Sequence, residues 1–218
     1  MSGLHLYCLN AVHTGHDMAS KAEARRTALR DRLIDIAEGQ IEEVGLGAIK
    51  ARPLAQAAGC SVGAIYNAFN DLEDIIIAVN GRTFGKLGRH VAAALKDKAD
   101  QSATERLVTM SYAYLDYAAA HPNLWRALFE VRMSTDMDVP DWYLNELGQL
   151  FSYIDGPVQE CFPDMDPQDI GLMTRALFSS IHGIVMLGLE NRISGVPRDQ
   201  IHRMIGMILR SVTGKELS

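Results

Sequence analysis

The sequence predicts an all-α protein of about nine helices, with a small three-helix module ahead of a larger helical domain. Three observations lead there. From about residue 22 onward, apolar residues return at spacings of three and four. No stretch alternates apolar and polar residues as a half-buried strand must. Glycines, prolines and capping residues then cut the helical pattern into segments of ordinary helix length. Hydrophobic residues make up 48% of the 218, enough for a real core, and charged residues 22%, too few for wholesale disorder.

Residues 1–20 are expected to be a disordered leader, because MSGLHLYCLNAVHTGHDM fits no periodicity. Leu29, Leu33, Ile36, Ala37, Ile41 and Val44 mark the buried stripe of a first helix, which stops at Gly45-Leu46-Gly47. Residues 50–75 read as two short helices about a tight turn. Their common buried face is Leu54, Ala58, Val62, Ile65 and Phe69. Gly59 falls where the chain must turn, Ala55 is small enough for the helices to cross closely, and Ser61 can cap the second. Asn70, with Glu73 three residues on, is expected to cap a long helix reaching about residue 99, with Gly81, Gly85 and Gly88 as bend points.

Ser102 and Glu105 form the next capping box, and that helix ends near His121. Pro122 opens a short helix. Residues 134–140 are an acidic loop. A helix carrying Trp142, Leu147, Leu150, Phe151 and Ile154 follows, disturbed at Gly156-Pro157. Asp166-Pro167 starts a helix to about residue 191, and Pro197 starts the last. The domains expected are the leader (1–20), a helix-turn-helix module (21–70) and a helical domain (71–218).

Two short helices about a glycine turn are the layout of a helix-turn-helix, whose second helix enters the DNA major groove. Charge supports this. The formal net charge is −6, from 21 Lys/Arg against 27 Asp/Glu, but residues 44–70 contain no acid. Lys21, Arg25, Arg26, Arg30 and Arg32 make a locally basic front on an acidic body, which suits site-specific rather than coating DNA binding. With Ile65 and Phe69 turned inward, Ser61, Val62, Gly63, Ala64, Tyr66 and Asn67 form the candidate DNA face. Asn67 can pair with adenine N6/N7 and Ala64 can touch a thymine methyl. Tyr66, Lys50, Arg52, Arg25 and Arg26 are phosphate candidates.

Other chemistries are weaker. Gly59-Cys60-Ser61-Val62-Gly63 matches the GxSxG elbow of serine hydrolases, which needs a strand before it and a sheet beneath it. Cys8, Cys60 and Cys161 have no CxxC spacing, so neither a disulfide framework nor a metal site is expected. The Asp136 and Asp164 clusters lack the glycine and glutamate of a calcium loop. No cofactor is implied. No apolar run is expected to reach the roughly 20 residues of a membrane span, and no signal peptide is evident. A cytoplasmic location without membrane association follows.

The run PLAQAAGCSVGAIYNAF, with a long helix opening behind it, strongly resembles the TetR family of bacterial transcriptional repressors over residues 25–80. His121-Pro-Asn-Leu-Trp-Arg-Ala-Leu-Phe, with Ile181-His182-Gly183, is similar to the WHG-type C-terminal domain of some members, Ile181 replacing the tryptophan. Lys50 stands where members carry a capping Ser or Thr, and Leu72 where a lysine is usual. The resemblance implies a homodimer on a palindromic double-stranded DNA operator, released by a small, largely apolar effector. It implies a four-helix interface from the last two long helices, for which Phe178, Met186, Leu189, Ile201, Ile205 and Ile208 are candidates. Effector-pocket candidates are Tyr112, Trp125, Phe129, Trp142, Phe151 and His182. A constitutive or architectural DNA-binding protein without an effector, or a serine hydrolase using Ser61, are the alternatives.

Overall fold

The computed structural model describes residues 5–130, 140–190 and 197–214, with side chains from Ser20 onward. Among the described residues there are nine α-helices and no strand. The chain divides into two compact units, residues 1–79 and 80–218.

The first unit contains α1 (His5–Val44), α2 (Ala51–Ala58), α3 (Val62–Ala68) and the start of α4 (Leu72–Leu95). The helix α1 runs back from the predicted stripe to His5, through most of the segment expected to be a disordered leader. Once a helix is nucleated each added residue is cheap, and residues 5–20 contain no proline to stop it. Leu33, Ala37 and Ile41 of α1 are fully buried with Leu54, Ala58, Ile65, Ala68 and Phe69. Val44, assigned to the same stripe, is 68% exposed.

The cap of α4 is shifted by one residue from the expected box. Asp71 Oδ1 accepts the Asp74 N–H at 2.9 Å and Asp74 Oδ2 accepts the Asn70 N–H at 3.0 Å. Asp71 and Asp74 therefore do the work expected of Asn70 and Glu73. The helix begins at Leu72, which puts the Asp74 amide, not that of Glu73, at the position a capping side chain reaches.

The second unit comprises the rest of α4 with α5 (Ala103–Ala120), α6 (Pro122–Glu130), α7 (Asp141–Cys161), α8 (Pro167–Leu189) and α9 (Ile201–Thr213). Ser102 and Asp166 cap α5 and α8 as expected. α5 is the centre of this unit, packed against α6, α7, α8 and α9. Leu107, Tyr114, Leu115, Trp125, Ile181, Ile201, Ile205 and Leu209 are among its buried residues. Each such aliphatic side chain contributes roughly 1.5–3 kcal/mol on leaving water.

α7 continues unbroken through Pro157, contrary to the expected disturbance. One backbone hydrogen bond is lost there, but the turn beyond it buries Val158 completely, which offsets the loss. Gly81 and Gly85 lie one turn apart where α7 comes close to α4. A Cβ on Gly81 would stand 2.4 Å from the Trp142 ring, and one on Gly85 3.6 Å from a Glu146 carboxylate oxygen. α8 is, by length and composition, apolar enough to cross a membrane, although Asp169, Arg175 and His182 interrupt it. It is apolar on two sides. Ile170, Leu177, Ile181 and Val185 face the core, while Leu172 and Leu187 are exposed. The predicted acidic loop lies largely outside the described residues.

Candidate nucleic-acid interface and effector cavity

The turn between α2 and α3 is built by its glycine. Gly59 has φ 64° and ψ 36°, a left-handed conformation costly for any residue with a Cβ. The Cys60 N–H reaches the Ala55 carbonyl at 3.0 Å and the Gly59 N–H the Gln56 carbonyl at 3.2 Å, closing the end of α2 as a Schellman motif. Ser61 then starts α3 at once, its Oγ accepting the Ala64 N–H at 3.2 Å. The segment matching the hydrolase elbow is thus a helix-to-helix turn, with its serine oxygen occupied in capping.

This geometry turns α3 so that Ile65 and Ala68, with Phe69 just beyond, are buried, while Ser61, Gly63, Tyr66 and Asn67 are exposed. Val62 and Ala64 are half-buried at the edges of that face. Lys50 and Arg52, at the start of α2, are exposed and have no partner among the described residues. Arg25 and Arg26 are exposed on α1, and Arg26 lies 4.0 Å from Glu23.

Two other members of the basic run have a structural role that sequence reasoning missed. Arg30 donates to the Ala68 carbonyl and lies 4.1 Å over the Phe69 ring. Arg32 donates to the Ala58 carbonyl at 3.3 Å. Both cations thus satisfy carbonyls that helix ends leave without partners. No local signal marks this role, because the carbonyls reached lie 38 and 26 residues along the chain.

In the second unit a cavity of about 60 Å³ lies among α4, α5, α7, α8 and α9. Its lining is almost wholly apolar, including Val91, Leu107, Met110, Leu150, Leu177 and Ile181. Of the residues predicted for a pocket, none lines it. Phe151 instead lines a more open groove of about 320 Å³ on the same α7–α8 seam. Trp142 is 46% exposed and its ring lies on α4 at Gly81; Tyr112 packs edge-on against His202 at 4.8 Å.

Trp125, Phe129 and His182 are brought together, but as packing around the cavity wall residues Tyr114 and Phe178. The polar groups of this cluster form a chain. The Trp125 Nε1–H donates to the Tyr114 hydroxyl at 2.9 Å, and that hydroxyl lies 2.8 Å from His182 Nδ1. The imidazole tautomer sets which of the two donates in this second bond. Burial pushes the His182 imidazole below its ordinary range and the Tyr114 phenol well above its own.

The predicted interface residues divide. Leu189, Ile201 and Ile205 are buried in the core of the unit, and Phe178 walls the cavity. Their apolar character is used within one chain. Met186 is half-buried and Ile208 is 37% exposed. Leu172, Leu187, Met207 and Val212 are exposed on α8 and α9 and fit such a face better.

An exposed recognition-type helix on a glycine-hinged pair, ahead of a helical domain holding an apolar cavity, defines a helix-turn-helix transcriptional regulator. Residues 107–211, just under half of the chain, match the family model described as the tetracyclin repressor-like C-terminal domain. It is 35% identical over 95 residues to the HTH-type transcriptional repressor KstR2 of Rhodococcus jostii (strain RHA1), covering 42% of this chain and 45% of that protein. The chain thus matches under half the length of that relative. It is 24% identical over 199 residues to the uncharacterized HTH-type transcriptional regulator Rv0681 of Mycobacterium tuberculosis, covering 91% and 87% of the two. Among solved structures, a Rhodococcus sp. RHA1 protein of unknown function superposes with a TM-score of 0.69 at 22% identity, over 86% of this chain and 96% of that one. RolR in complex with resorcinol gives 0.65 at 18%, over 89% and 91%. FadR of Bacillus subtilis with stearoyl-CoA gives 0.59 at 21%, over 84% and 96%. At such identities these structures establish a shared fold.

Proposed function

We propose that the protein is a homodimeric repressor that holds a palindromic operator through α3 and is released by a small, largely apolar effector. One observation carries the DNA reading: Gly63, Tyr66 and Asn67 point outward from the same short helix whose Ile65 and Ala68 are buried. Asn67 offers an amide to adenine, Ala64 a methyl to thymine, and the glycine lets the helix backbone come close. Tyr66, Lys50, Arg52, Arg25 and Arg26 supply donors to phosphates, which fix register without reading sequence. A DNA partner places the protein in the cytoplasm.

Cavity size supports release by ligand. At about 60 Å³ it is well below the roughly 150 Å³ that accepts benzene. A ring-sized effector must therefore spread the helices that wall it. Binding and rearrangement become one event, and operator affinity falls by the effector's preference for the spread form. Resorcinol in RolR and stearoyl-CoA in FadR support a ligand in a domain of this fold. They differ so widely in size that neither carries over to this chain.

The exposed apolar side chains Leu172, Leu187, Met207, Ile208 and Val212 supply the second copy's docking face on α8 and α9. Two-fold symmetry then sets the two α3 helices about one DNA turn apart, roughly 34 Å. Selection of bound fragments from genomic DNA tests the reading by yielding a palindrome. On that site Tyr66→Phe lowers affinity about equally for all sequences. Asn67→Ala instead relaxes preference at one or two base pairs by ~1–3 kcal/mol. If both variants lose discrimination alike, the orientation given to α3 is wrong.

A further inference from the structure

We propose that the effector is an amphiphile: its apolar body fills the inner cavity and an acceptor-bearing head, a carboxylate or a carbonyl, is held in the outer groove by Thr174 and Arg175. This rests on the effector reading above and names the ligand's chemistry.

The cavity and the groove share one seam. On α7, Leu147 and Phe151 line the groove and Leu150 lines the cavity. On α8, Thr174 and Arg175 line the groove while Leu177 and Phe178 line the cavity. Phe151 of the groove and Phe178 of the cavity touch, their rings packed edge to face with centroids 5.1 Å apart.

Their polar chemistry is opposite. Three residues with hydroxyls line the cavity: Ser111 donates to the Leu107 carbonyl at 2.9 Å, Tyr114 is held between Trp125 and His182, and Tyr153 is 37% exposed. A polar head placed beside Ser111 or Tyr114 loses its water and meets hydroxyls that are already engaged. In the groove, Thr174 is 2% exposed and its Oγ1 has no partner among the described residues. A helical threonine ordinarily bonds a carbonyl one turn back, so this hydroxyl is a donor left over at a considerable desolvation cost. Arg175, beside it, has an exposed guanidinium without a partner among the described residues. Two donors at one end of an apolar slot select an acceptor. Asp155 on the groove's other wall balances Arg175, which favours a neutral or singly charged head over a phosphate.

The test is calorimetric titration of the purified full-length protein with three probes sharing a ten-carbon chain: decanoate, methyl decanoate and decyltrimethylammonium. The two acceptor-bearing probes should bind, with the cationic probe about tenfold weaker or worse. Thr174→Val should weaken both acceptor probes by about three- to tenfold. In the ligand-free protein the same variant should unfold no earlier than wild type, because an unpartnered hydroxyl is exchanged for a methyl of similar shape. Arg175→Met should cost decanoate more than methyl decanoate. Leu177→Trp, which fills the inner cavity, should remove binding of every probe. Equal binding of the cation and decanoate, or a Thr174→Val variant with unchanged affinities, overturns the head-group assignment alone. If no probe binds, or if Leu177→Trp leaves binding intact, the effector site itself is refuted with it.

Discussion

Gly63→Ala should make the protein more stable and a poorer DNA binder, and the opposite signs are what make the variant informative. Gly63 is the second residue of α3 and exposed. A Cβ built on it meets only Ser61 Oγ, at 3.9 Å, which is ordinary contact. Its backbone is not in the left-handed region, unlike Gly45 and Gly59. The fold therefore gains nothing from a glycine here, and alanine should stabilise by roughly 0.5–1 kcal/mol through helix propensity and lost freedom of the unfolded chain. In the proposed complex with DNA the same methyl would be forced into a contact that the bare backbone makes at close range. Overpacking of a fitted interface costs typically about 1–3 kcal/mol, which is roughly 5- to 150-fold in affinity. Circular dichroism melts give the first quantity, and fluorescence anisotropy on the selected operator at fixed salt gives the second. A stabilised Gly63→Ala protein that binds its operator as tightly as wild type would remove α3 from the interface as oriented here.

Gly81→Ala should destabilise the second unit by about 1–3 kcal/mol of overpacking, less roughly 1 kcal/mol of helix propensity. In a Trp142→Ala background the same change should become stabilising; urea unfolding followed by Trp125 fluorescence measures both, and no sign reversal means the ring does not sit on Gly81. On the proposed docking face, Ile208→Asp should leave the protein monomeric at micromolar concentration in light scattering while keeping the helical melt in place, since Ile208 is 37% exposed. Burial holds the His182 imidazole below its ordinary 6.5, so as pH falls through 6.5 the unfolded chain takes up a proton that the folded one refuses. Stability should fall from there toward the lower folded value. His182→Asn, which keeps a hydrogen-bond partner for Tyr114, should flatten that slope, and a slope unchanged by the variant would assign it to another group.

The helix-turn-helix was legible because its determinants are local. A glycine with positive φ, a serine one step from a helix start and an apolar stripe act within a dozen residues, and each found its expected place except Val62, which is half-buried. The α4 cap shows the resolution of such reading. Asn70-x-x-Glu73 and Asp71-x-x-Asp74 are equally good boxes one residue apart, and only the position at which the helix begins chooses between them. Arg30 and Arg32 mark the next limit. Their guanidinium groups reach carbonyls 38 and 26 residues away, so a composition count reads them as free basic charge.

The second unit was legible as helices and much less so as a site, and the reason is α8. A helix with one apolar face announces its core by periodicity. α8 is apolar on the side of Leu177, Ile181 and Val185 and again at Leu172 and Leu187, so periodicity cannot divide protomer core from the face a second copy would cover. The aromatic residues mislead for a related reason. Trp125 satisfies its indole N–H through Tyr114, and Trp142 occupies the notch at Gly81; both are large because the packing there is large. The cavity is walled by other residues, among them Leu107, Leu150, Ile154, Leu177, Tyr114 and Phe178, whose side chains carry no signal in the sequence apart from ordinary core. What distinguishes a site from a core on this seam is a polar group without a partner. Thr174 is such a group, and no property of a threonine in a sequence reveals that its hydroxyl will be left unsatisfied.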